Sequence, residues 1–281
     1  MISIILRAKN EMPWIKYTLR MLKLQTRQDV QLICVDSGST DGSWKFLQSC
    51  KPDVLYQIEA KDYIPGKVLN QAISHAKGDF IVFNNADCIP KNKNWLQNLI
   101  QPLENDPELG AVYANQIHRP NAIPLVQKDY QRAFGDGEIA ATWKHFFSLA
   151  SSAIRREVII QHPFKEDIQY SEDIEWSWRM KQLGYKIMYV PDAIVEHSHN
   201  YTLPQIKKRY LGEGTAEAEI YRSYYRDHPE ELSFMRTVVL ASGAESIRDW
   251  KYLIKHKYYQ WIPLAPVYRL AQRYFAYKGR L

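Results

Sequence analysis

Residues 79–90 have the sequence DFIVFNNADCIP, and this stretch decides the fold. The apolar run at residues 80–83 ends abruptly in polar residues that include the carboxylate of Asp87. Such a run, rich in Phe, Ile and Val, is typical of a strand buried on both faces of a parallel sheet. Ligands of open α/β sheets bind beyond the carboxyl ends of these strands. Asp87 is therefore predicted to lie where Mg²⁺ or Mn²⁺ and a diphosphate would meet. The alternative is an ordinary turn in which Asn, Asp and Pro end the strand.

Strand and helix patterns alternate on both sides of this run. Further strands are predicted at residues 3–6, 30–35, 54–58, 111–114 and 187–190. Helices are predicted at residues 12–24, 95–103 and 171–183. Another is predicted to open at residues 44–47, and one more follows Gly66 and stops near Gly78. This alternation predicts an α/β fold with a mostly parallel sheet flanked by helices. Residues 117–146 contain several Pro and Gly residues and are predicted to form an irregular substrate-side loop.

Composition narrows the class of protein. With 281 residues, 46% of them apolar and 24% charged, the chain is globular rather than disordered. Cys34, Cys50 and Cys88 form no paired spacing, which argues against a disulfide framework or a zinc site and fits a reducing cytosol. The apolar start is too short for a signal peptide, and no stretch has the ~20 apolar residues of a membrane span. We therefore expect a cytoplasmic protein.

The positive charge is concentrated at the end of the chain. Residues 204–281 carry 14 basic and 8 acidic side chains, which accounts for the whole net charge of +6. The same residues hold ten of the 19 tyrosines. A basic, aromatic, helical extension indicates an anionic partner, such as the inner face of the cell membrane. The alternatives are that these helices pack on the rest of the chain or on a second copy in a homodimer, or that they bind single-stranded nucleic acid. The neutral first 203 residues argue against nucleic acid as the main partner.

Several acidic and histidine residues fall at the ends of predicted elements. They are Asp36, Asp87, Glu172, Asp173, His197 and His199. Each has an ordinary explanation: Asp36 would cap a turn, the two acids would serve a helix N-terminus, and the histidines would lie on the surface. In a parallel sheet, however, all of them would share one edge, and the positive helix end would keep Asp173 ionised.

Together these motifs resemble family 2 glycosyltransferases with the GT-A fold. The resemblance covers roughly residues 2–215 and is carried by motifs in the family's order, at residues 4–11, 35–43, 66–70, 76–79, 85–87, 172–179, 184–186 and 195–197. It implies a catalytic domain at residues 1–203, followed by a helical extension at residues 204–281. It also implies a nucleotide-sugar donor and a divalent metal cofactor, Mg²⁺ or Mn²⁺.

The resemblance assigns roles residue by residue. Asp173 matches the catalytic base, with Glu172 supporting it. Asp87 is the principal metal ligand and His197 completes the site, with His199 as the competing choice. One departure is Asn85, which replaces the first carboxylate of the family's Asp-x-Asp motif and lowers the expected metal affinity. The residues implied to border the nucleotide sugar are Ala8, Asn10, Glu11, Asp36, Ser37, Lys67, Asn70, Asn85, Ala86 and Asp87.

The implied reaction agrees with elementary chemistry. A divalent metal neutralises the departing diphosphate as a Lewis acid. A single carboxylate base within hydrogen-bond reach takes the proton of the acceptor hydroxyl, and in-line displacement inverts the anomeric centre.

Residues 147–157, 162–164, 189–193 and 197–201 look most like rhamnosyltransferases that build bacterial surface polysaccharide. The implied donor is dTDP-L-rhamnose, and the implied acceptor is a polysaccharide or a lipid-linked oligosaccharide. Arg155 and Arg156 would contact a diphosphate or the acceptor, or would lie on a solvated helix face. The rival function is a nucleotide-binding module without catalysis, which Asn85 would favour.

Overall fold

The computed structural model describes residues 1–143 and 145–281. They form two compact units. The first contains residues 1–119, 131–168 and 172–197, and the second contains residues 120–130, 169–171 and 198–281. The division into a catalytic domain at residues 1–203 and an extension at residues 204–281 stays a prediction.

The first unit is built on one mixed sheet. Its strands are β1 Ile2–Ala8, β2 Val30–Asp36, β3 Val54–Gln57, β4 Phe80–Asn85, β5 Ile89–Pro90, β6 Leu109–Ile117, β7 Ser151–Arg155 and β8 Lys186–Glu196. Their spatial order is β3-β2-β1-β4-β7-β6-β8-β5. The predicted sheet is confirmed: the run at residues 80–83 forms β4, which lies in the middle of the sheet and is almost fully buried.

Strand direction brings the polar strand ends to one edge. β1 pairs in parallel with β2 and β4, and β2 pairs in parallel with β3. β7 is antiparallel to both of its neighbours, β4 and β6, so β4 and β6 run the same way. β8 is parallel to β6. The carboxyl ends of these strands, β7 and the short β5 excepted, therefore open on one edge, which is where ligands of α/β sheets bind.

Amphipathic helices of the first unit cover the sheet. They are α1 Trp14–Lys23, α2 Ser43–Cys50, α3 Pro65–Ser74, α4 Trp95–Asn105, α6 Glu138–Ala141, α7 Arg156–Gln161 and α8 Glu172–Gln182. The helix α5 Pro124–Ala133 belongs mainly to the second unit. The predicted helices near residues 12, 44, 66, 95 and 171 are all present. In α4, the buried residues Trp95, Leu96, Leu99, Ile100 and Leu103 follow the helical period and pack in the main core.

Two expectations from the sequence are wrong. The segment 117–146 is not an irregular loop throughout, because α5 and α6 lie in it. β8 does not end before Pro191 but continues to Glu196. An irregularity in the pairing of β6 with β8, between Ala114 and Asn115, lets the strand continue past the proline.

The second unit is helical beyond residue 202. Its helices are α9 Leu203–Ile220, α10 Arg222–Asp227, a π-helical turn Met235–Leu240, α11 Ala241–Lys255 and α12 Leu264–Arg280. α9 begins with a capping box in which Thr202 and Gln205 satisfy each other's backbone N–H groups. Among the described residues, no helix is both long enough and apolar enough to cross a membrane.

Candidate active site

A cavity of about 260 Å³ opens at the carboxyl ends of β1, β2 and β4. It is lined by Arg7, Ala8, Lys9, Glu11, Ser37, Tyr63 and Asn85. Ala8, Glu11, Ser37 and Asn85 were all expected to border a nucleotide sugar. Four of the residues predicted to bind the nucleotide sugar therefore line one cavity at the carboxyl ends of the strands.

Two loops that frame the cavity hold each other in place. The backbone N–H of Asn10 donates to Ser39 Oγ at 2.8 Å, and Asn10 Oδ1 accepts from the Thr40 N–H at 2.7 Å. The N–H of Glu11 donates to Ser43 Oγ at 3.0 Å. Asn10 has φ of 56°, a left-handed conformation that Asn tolerates better than most residues. Asn10 thus shapes the rim through its backbone and through a side chain already engaged by the second loop.

Asp36 is fully buried at the end of β2, and its two oxygens differ. Oδ1 accepts from the N–H groups of Gly38 and Ser39 at 3.0 and 2.8 Å and from Gln57 Nε2 at 2.8 Å. Oδ2 has no hydrogen-bond partner among the described residues. A buried carboxylate oxygen without a donor is costly, so Oδ2 is suited to accept an N–H from a ligand.

Asp87, Arg119 and His197 meet just beyond the ends of β4, β6 and β8. All three are buried. Arg119 donates from one guanidinium nitrogen to the Asp87 carbonyl oxygen at 2.8 Å and to Asp87 Oδ2 at 3.1 Å. Its guanidinium also lies 4.1 Å from the centre of the Trp14 ring. His197 Nε2 lies 3.5 Å from the same Asp87 Oδ2.

Gln116 orients the imidazole ring of His197. His197 Nδ1 lies 2.8 Å from Gln116 Oε1. Its other ring nitrogen, Nε2, faces Asp87. Histidines that bind metals through one ring nitrogen are commonly held by a polar group at the other.

These side chains fit a divalent cation. Ligand atoms of Asp87, Cys88 and His197 lie within 4.8 Å of one another. Burial raises the pKa of the Cys88 thiol well above its usual value, so Cys88 is a poor ligand beside a carboxylate and an imidazole. Asp87 and His197 would therefore hold the ion, with donor phosphates and water completing the coordination. Their role as ligands stays a prediction.

Arg7 joins the cavity to the start of α8. Its guanidinium donates to Glu172 Oε1 at 2.9 Å, and it lies 3.4 Å from both the Tyr63 hydroxyl and Asn85 Oδ1. Both members of the Arg7–Glu172 ion pair are largely buried. Because its charge is satisfied by Arg7, Glu172 is less suited than its neighbour Asp173 to act as a base.

The environment of Asp173 raises the pKa of its carboxyl group toward neutral pH. Burial and the charge of Glu172 raise its pKa to about 6, although the backbone N–H groups of Leu149 and Ile174 donate to it. The N–H groups at the start of α8 oppose this rise but do not overcome burial. Asp173 is still ionised in most molecules at pH 7 and is more basic than an ordinary aspartate.

Glu11 adds a second group that titrates in this region. Burial, followed by the negative charges of Asp87 and Asp41, raises its pKa to about 8, while Arg119 acts in the opposite direction. Glu11 is thus mostly protonated at pH 7 and can donate a hydrogen bond to a phosphate or sugar oxygen.

The remaining predicted residues lie in other settings. Ala86 is buried and donates its N–H to the Arg7 carbonyl oxygen at 2.9 Å. The amide of Asn70 binds the backbone of Phe164 and the Glu166 carboxylate. Lys67 is exposed on α3, and neither Lys67 nor Asn70 lines the cavity. Their nucleotide-binding role stays a prediction.

His199, the alternative metal ligand, belongs to the second unit. Its ring stacks on Tyr201, with ring centres 5.7 Å apart. It is not part of the cluster of potential ligands around Asp87, whereas His197 is.

Four residues of the site were missed by the sequence reasoning, namely Arg7, Lys9, Tyr63 and Arg119. Arg7 and Arg119 lie at the carboxyl ends of strands, as Asp87 does. A search for basic as well as acidic side chains at strand ends would have found them. Tyr63 lies in a loop after β3 and has no sequence signal of its own. The pairing of Arg119 with Asp87 requires the tertiary structure.

The site and the sheet define a nucleotide-sugar transferase of the GT-A type, and the comparisons agree. Residues 3–162 match the family Glycosyl transferase family 2, so the chain belongs to this family. Its fold is similar to that of a mannosyltransferase from Pyrobaculum calidifontis, solved in complex with GDP-Man and Mn²⁺. That structure is 20% identical, covers 96% of this chain and 85% of its own, and gives a TM-score of 0.64.

Two curated relatives are O-antigen chain rhamnosyltransferases. WbaN of Salmonella anatum is 33% identical over 69% of this chain and 64% of its own length. RfbN of Salmonella typhimurium is 30% identical over 71% of this chain and 67% of its own length. The chain thus aligns with about two thirds of each relative.

Proposed function

We propose that this protein is an inverting glycosyltransferase that moves L-rhamnose from dTDP-L-rhamnose to a polysaccharide or lipid-linked oligosaccharide acceptor. The observation that carries the proposal is the shared strand edge. There a cavity is lined by Ser37, the neighbour of Asp36, and by Arg7, which binds Glu172 beside Asp173. The family supplies the reaction class, and the two Salmonella relatives suggest the sugar.

The donor nucleotide would enter this cavity with its base toward Asp36. A thymine ring carries one imide N–H, and the buried Oδ2 of Asp36 is an acceptor that lacks a donor among the described residues. Lys9 and Arg7 line the same cavity and supply positive charge for the diphosphate. Protonated Glu11 would add a hydrogen-bond donor beside them.

A divalent cation held by Asp87 and His197 would supply Lewis-acid stabilisation of the diphosphate as it departs. Arg119 already contacts Asp87 Oδ2 and would share this carboxylate with the ion. With Asn85 in place of a second carboxylate, the protein offers little negative charge, so we expect the ion to bind more tightly once the donor phosphates are present.

Asp173 would act as the base. The acceptor hydroxyl oxygen attacks the anomeric carbon, the bond to the diphosphate oxygen breaks, and the hydroxyl proton moves to the Asp173 carboxylate. Since one displacement occurs, the anomeric configuration inverts. Glu172 would hold Arg7 in place and, through its charge, keep the pKa of Asp173 raised.

Calorimetry with a panel of nucleotides and nucleotide sugars tests the donor assignment. We expect dTDP and dTDP-L-rhamnose to bind more tightly than GDP-mannose in the presence of Mn²⁺, and Asp36→Ala to abolish this binding. The control variant is Asp192→Ala, because Asp192 is exposed and lies outside the cavity. Equal affinity for all nucleotides, or full binding by Asp36→Ala, would overturn the assignment.

A second candidate function is a nucleotide-binding module without catalysis. Asn85 and the Asp87–Arg119 ion pair favour it, because both reduce the negative charge available to a metal. Binding of dTDP-L-rhamnose without any turnover, with metal and with candidate acceptors, would support this module over the enzyme.

A further inference from the structure

Residues 235–281 of the second unit have an inverted distribution of polar and apolar side chains. They comprise the π-helical turn Met235–Leu240, α11 and α12, and we call this segment the terminal helices. In α11 the buried side chains are Ser242, Glu245, Ser246, Asp249 and Leu253. In α12 they are Ala265, Arg269 and Gln272. Helices that face water normally bury their apolar side and expose the polar side.

The inner face of the terminal helices is held by a buried network of ion pairs. Asp249 is fully buried and accepts from Lys128 and from Arg269 Nε, the latter at 2.7 Å. Lys128 also donates to Glu245 at 2.7 Å, and Arg269 forms a two-pronged contact with Asp129 at 2.8 and 2.9 Å. These contacts fix which sides of α11 and α12 face inward.

Close backbone contact fixes α12 further. A Cβ atom at Gly214 of α9 would lie 2.1 Å from the Ala276 carbonyl oxygen, and one at Gly279 would lie 2.2 Å from the Leu211 carbonyl oxygen. Only glycine permits this approach of the two helices. These contacts fix the rotation of α12 about its own axis, and therefore which of its side chains face outward.

The outer faces carry apolar stripes at helical spacing. Leu240, Ile247 and Ile254 recur every seven residues along α11 and the turn before it, and each is more than half exposed. On α12 the stripe consists of Leu264, Val267, Leu270 and Tyr274, which are 40–58% exposed. The inner faces bury the ion-pair network beside a small apolar cluster that includes Leu253 and Ala265. A single exposed leucine needs no explanation, but two exposed apolar stripes on contacting helices indicate an apolar environment outside the protein.

Charge identifies what covers this surface. Residues 235–281 contain nine Lys and Arg and only two acidic residues, Glu245 and Asp249, both of which are buried in the network. Exposed cations flank the stripes: Lys251, Lys255 and Lys257 at the end of α11, and Arg273 and Lys278 on α12. A second copy of this face would set cations against cations. Anionic lipid headgroups neutralise them, and lipid chains accept the apolar stripes.

Aromatic residues complete the pattern at the junction of α11 and α12. Tyr259 is exposed, and the indole N–H of Trp250 donates to the Ile262 carbonyl oxygen at 2.9 Å. Trp261 lies half-buried beside them. Trp and Tyr are enriched where a protein meets the boundary between headgroups and acyl chains.

We propose that the outer face of the terminal helices docks on an anionic lipid bilayer, with the apolar stripes inserted between headgroups and the lysines and arginines contacting lipid phosphates. The proposal uses no residue of the candidate active site.

Cosedimentation of the full chain with phosphatidylcholine vesicles, with and without phosphatidylglycerol, tests the docking. The first variant combines Ile247→Ser, Val267→Ser and Leu270→Ser, which removes outer apolar side chains without touching the ion-pair network. The second combines Lys251→Gln, Lys255→Gln and Lys257→Gln. Matched controls are Ile160→Ser with Leu183→Ser, equally exposed in the first unit, and Lys45→Gln, Lys51→Gln and Lys93→Gln.

We expect the wild type and both controls to bind vesicles that contain phosphatidylglycerol, less at higher salt. The serine variant should partition at least about ten-fold more weakly. Each neutralised lysine should weaken binding to anionic vesicles by about five-fold. Circular dichroism and unfolding temperature confirm that each variant is folded.

Two results would overturn the docking proposal. One is vesicle binding by the serine variant equal to that of the wild type. The other is a lipid-free dimer, seen by sedimentation velocity, that the serine variant converts to a monomer while vesicles bind neither form. The assay contains no donor, so its failure leaves the proposed transfer reaction untouched, and failure of transfer leaves docking untouched.

Discussion

Replacing Asp173 with Asn removes the proton acceptor proposed for transfer while keeping the size of the side chain. Asp173 accepts from two backbone N–H groups, those of Leu149 and Ile174, and Asn has only one oxygen to offer them. Losing one such hydrogen bond costs about 1 kcal/mol, which a folded protein tolerates. The variant should therefore fold and bind the donor normally, because Asp173 does not line the cavity.

The rate should fall far more than the stability. Loss of a general base typically slows turnover by ~10²–10⁴-fold. The raised pKa also predicts how the wild type responds to pH. With a pKa of about 6, Asp173 is ionised in about nine tenths of molecules at pH 7 and in about one tenth at pH 5. Turnover should therefore drop about ten-fold between these values, and Asp173→Asn should lose this acid limb.

Transfer rate from pH 5 to 8, measured beside donor affinity by calorimetry, checks both parts. Asp167→Asn is the matched control because Asp167 is exposed and close in sequence. Normal turnover by Asp173→Asn would refute its role as base. An acid limb that persists in a slow Asp173→Asn variant would assign the titration to another group.

Four further predictions concern other parts of the structure. Glu172→Gln removes the charge that raises the pKa of Asp173, so the acid limb of the rate profile should move to lower pH; a shift to higher pH would contradict the assigned cause. Asp87→Asn keeps an acceptor for Arg119 but removes the anionic ligand, so metal-dependent turnover should vanish while circular dichroism is unchanged. Asn85→Asp should hold or raise Mn²⁺ affinity measured by calorimetry, and a loss would argue against a metal at this position. Asp249→Ala leaves the buried cations Lys128 and Arg269 without their shared partner. It should therefore lower the free energy of unfolding, measured in urea, by about 3–5 kcal/mol. The control Asp227→Ala removes an exposed carboxylate and should change this free energy little.

The parts of the fold that the sequence predicted are those with strong local signals. The apolar run at residues 80–83 predicts β4 because four consecutive apolar residues followed by Asn and Asp have few other structures available. α4 is predicted by its helical period. β7 was missed, since Ser151–Arg155 is short and begins with two serines, and its strand character depends on pairing with β4 and β6.

The candidate site divides in the same way. Asp36 and Asp87 follow strands directly, so the topology of a parallel sheet is enough to place them at one edge. The ion pairs of Arg7 with Glu172 and of Arg119 with Asp87 join residues far apart in sequence, and no local pattern encodes them. No local pattern encodes the inverted faces of the terminal helices either, because their buried acids Glu245 and Asp249 bind Lys128 of α5 and Asp249 also binds Arg269 of α12.

The release of dTDP from dTDP-L-rhamnose in the presence of candidate oligosaccharide acceptors tests the central claim most directly. Wild type and Asp173→Asn are measured side by side in a coupled assay, in Mn²⁺ and in chelator. The proposed mechanism predicts release by the wild type that requires the metal, and release by Asp173→Asn at least about a hundred-fold slower despite equal donor affinity. Equal release by the two proteins, or tight donor binding by the wild type with no release under any condition, would contradict it.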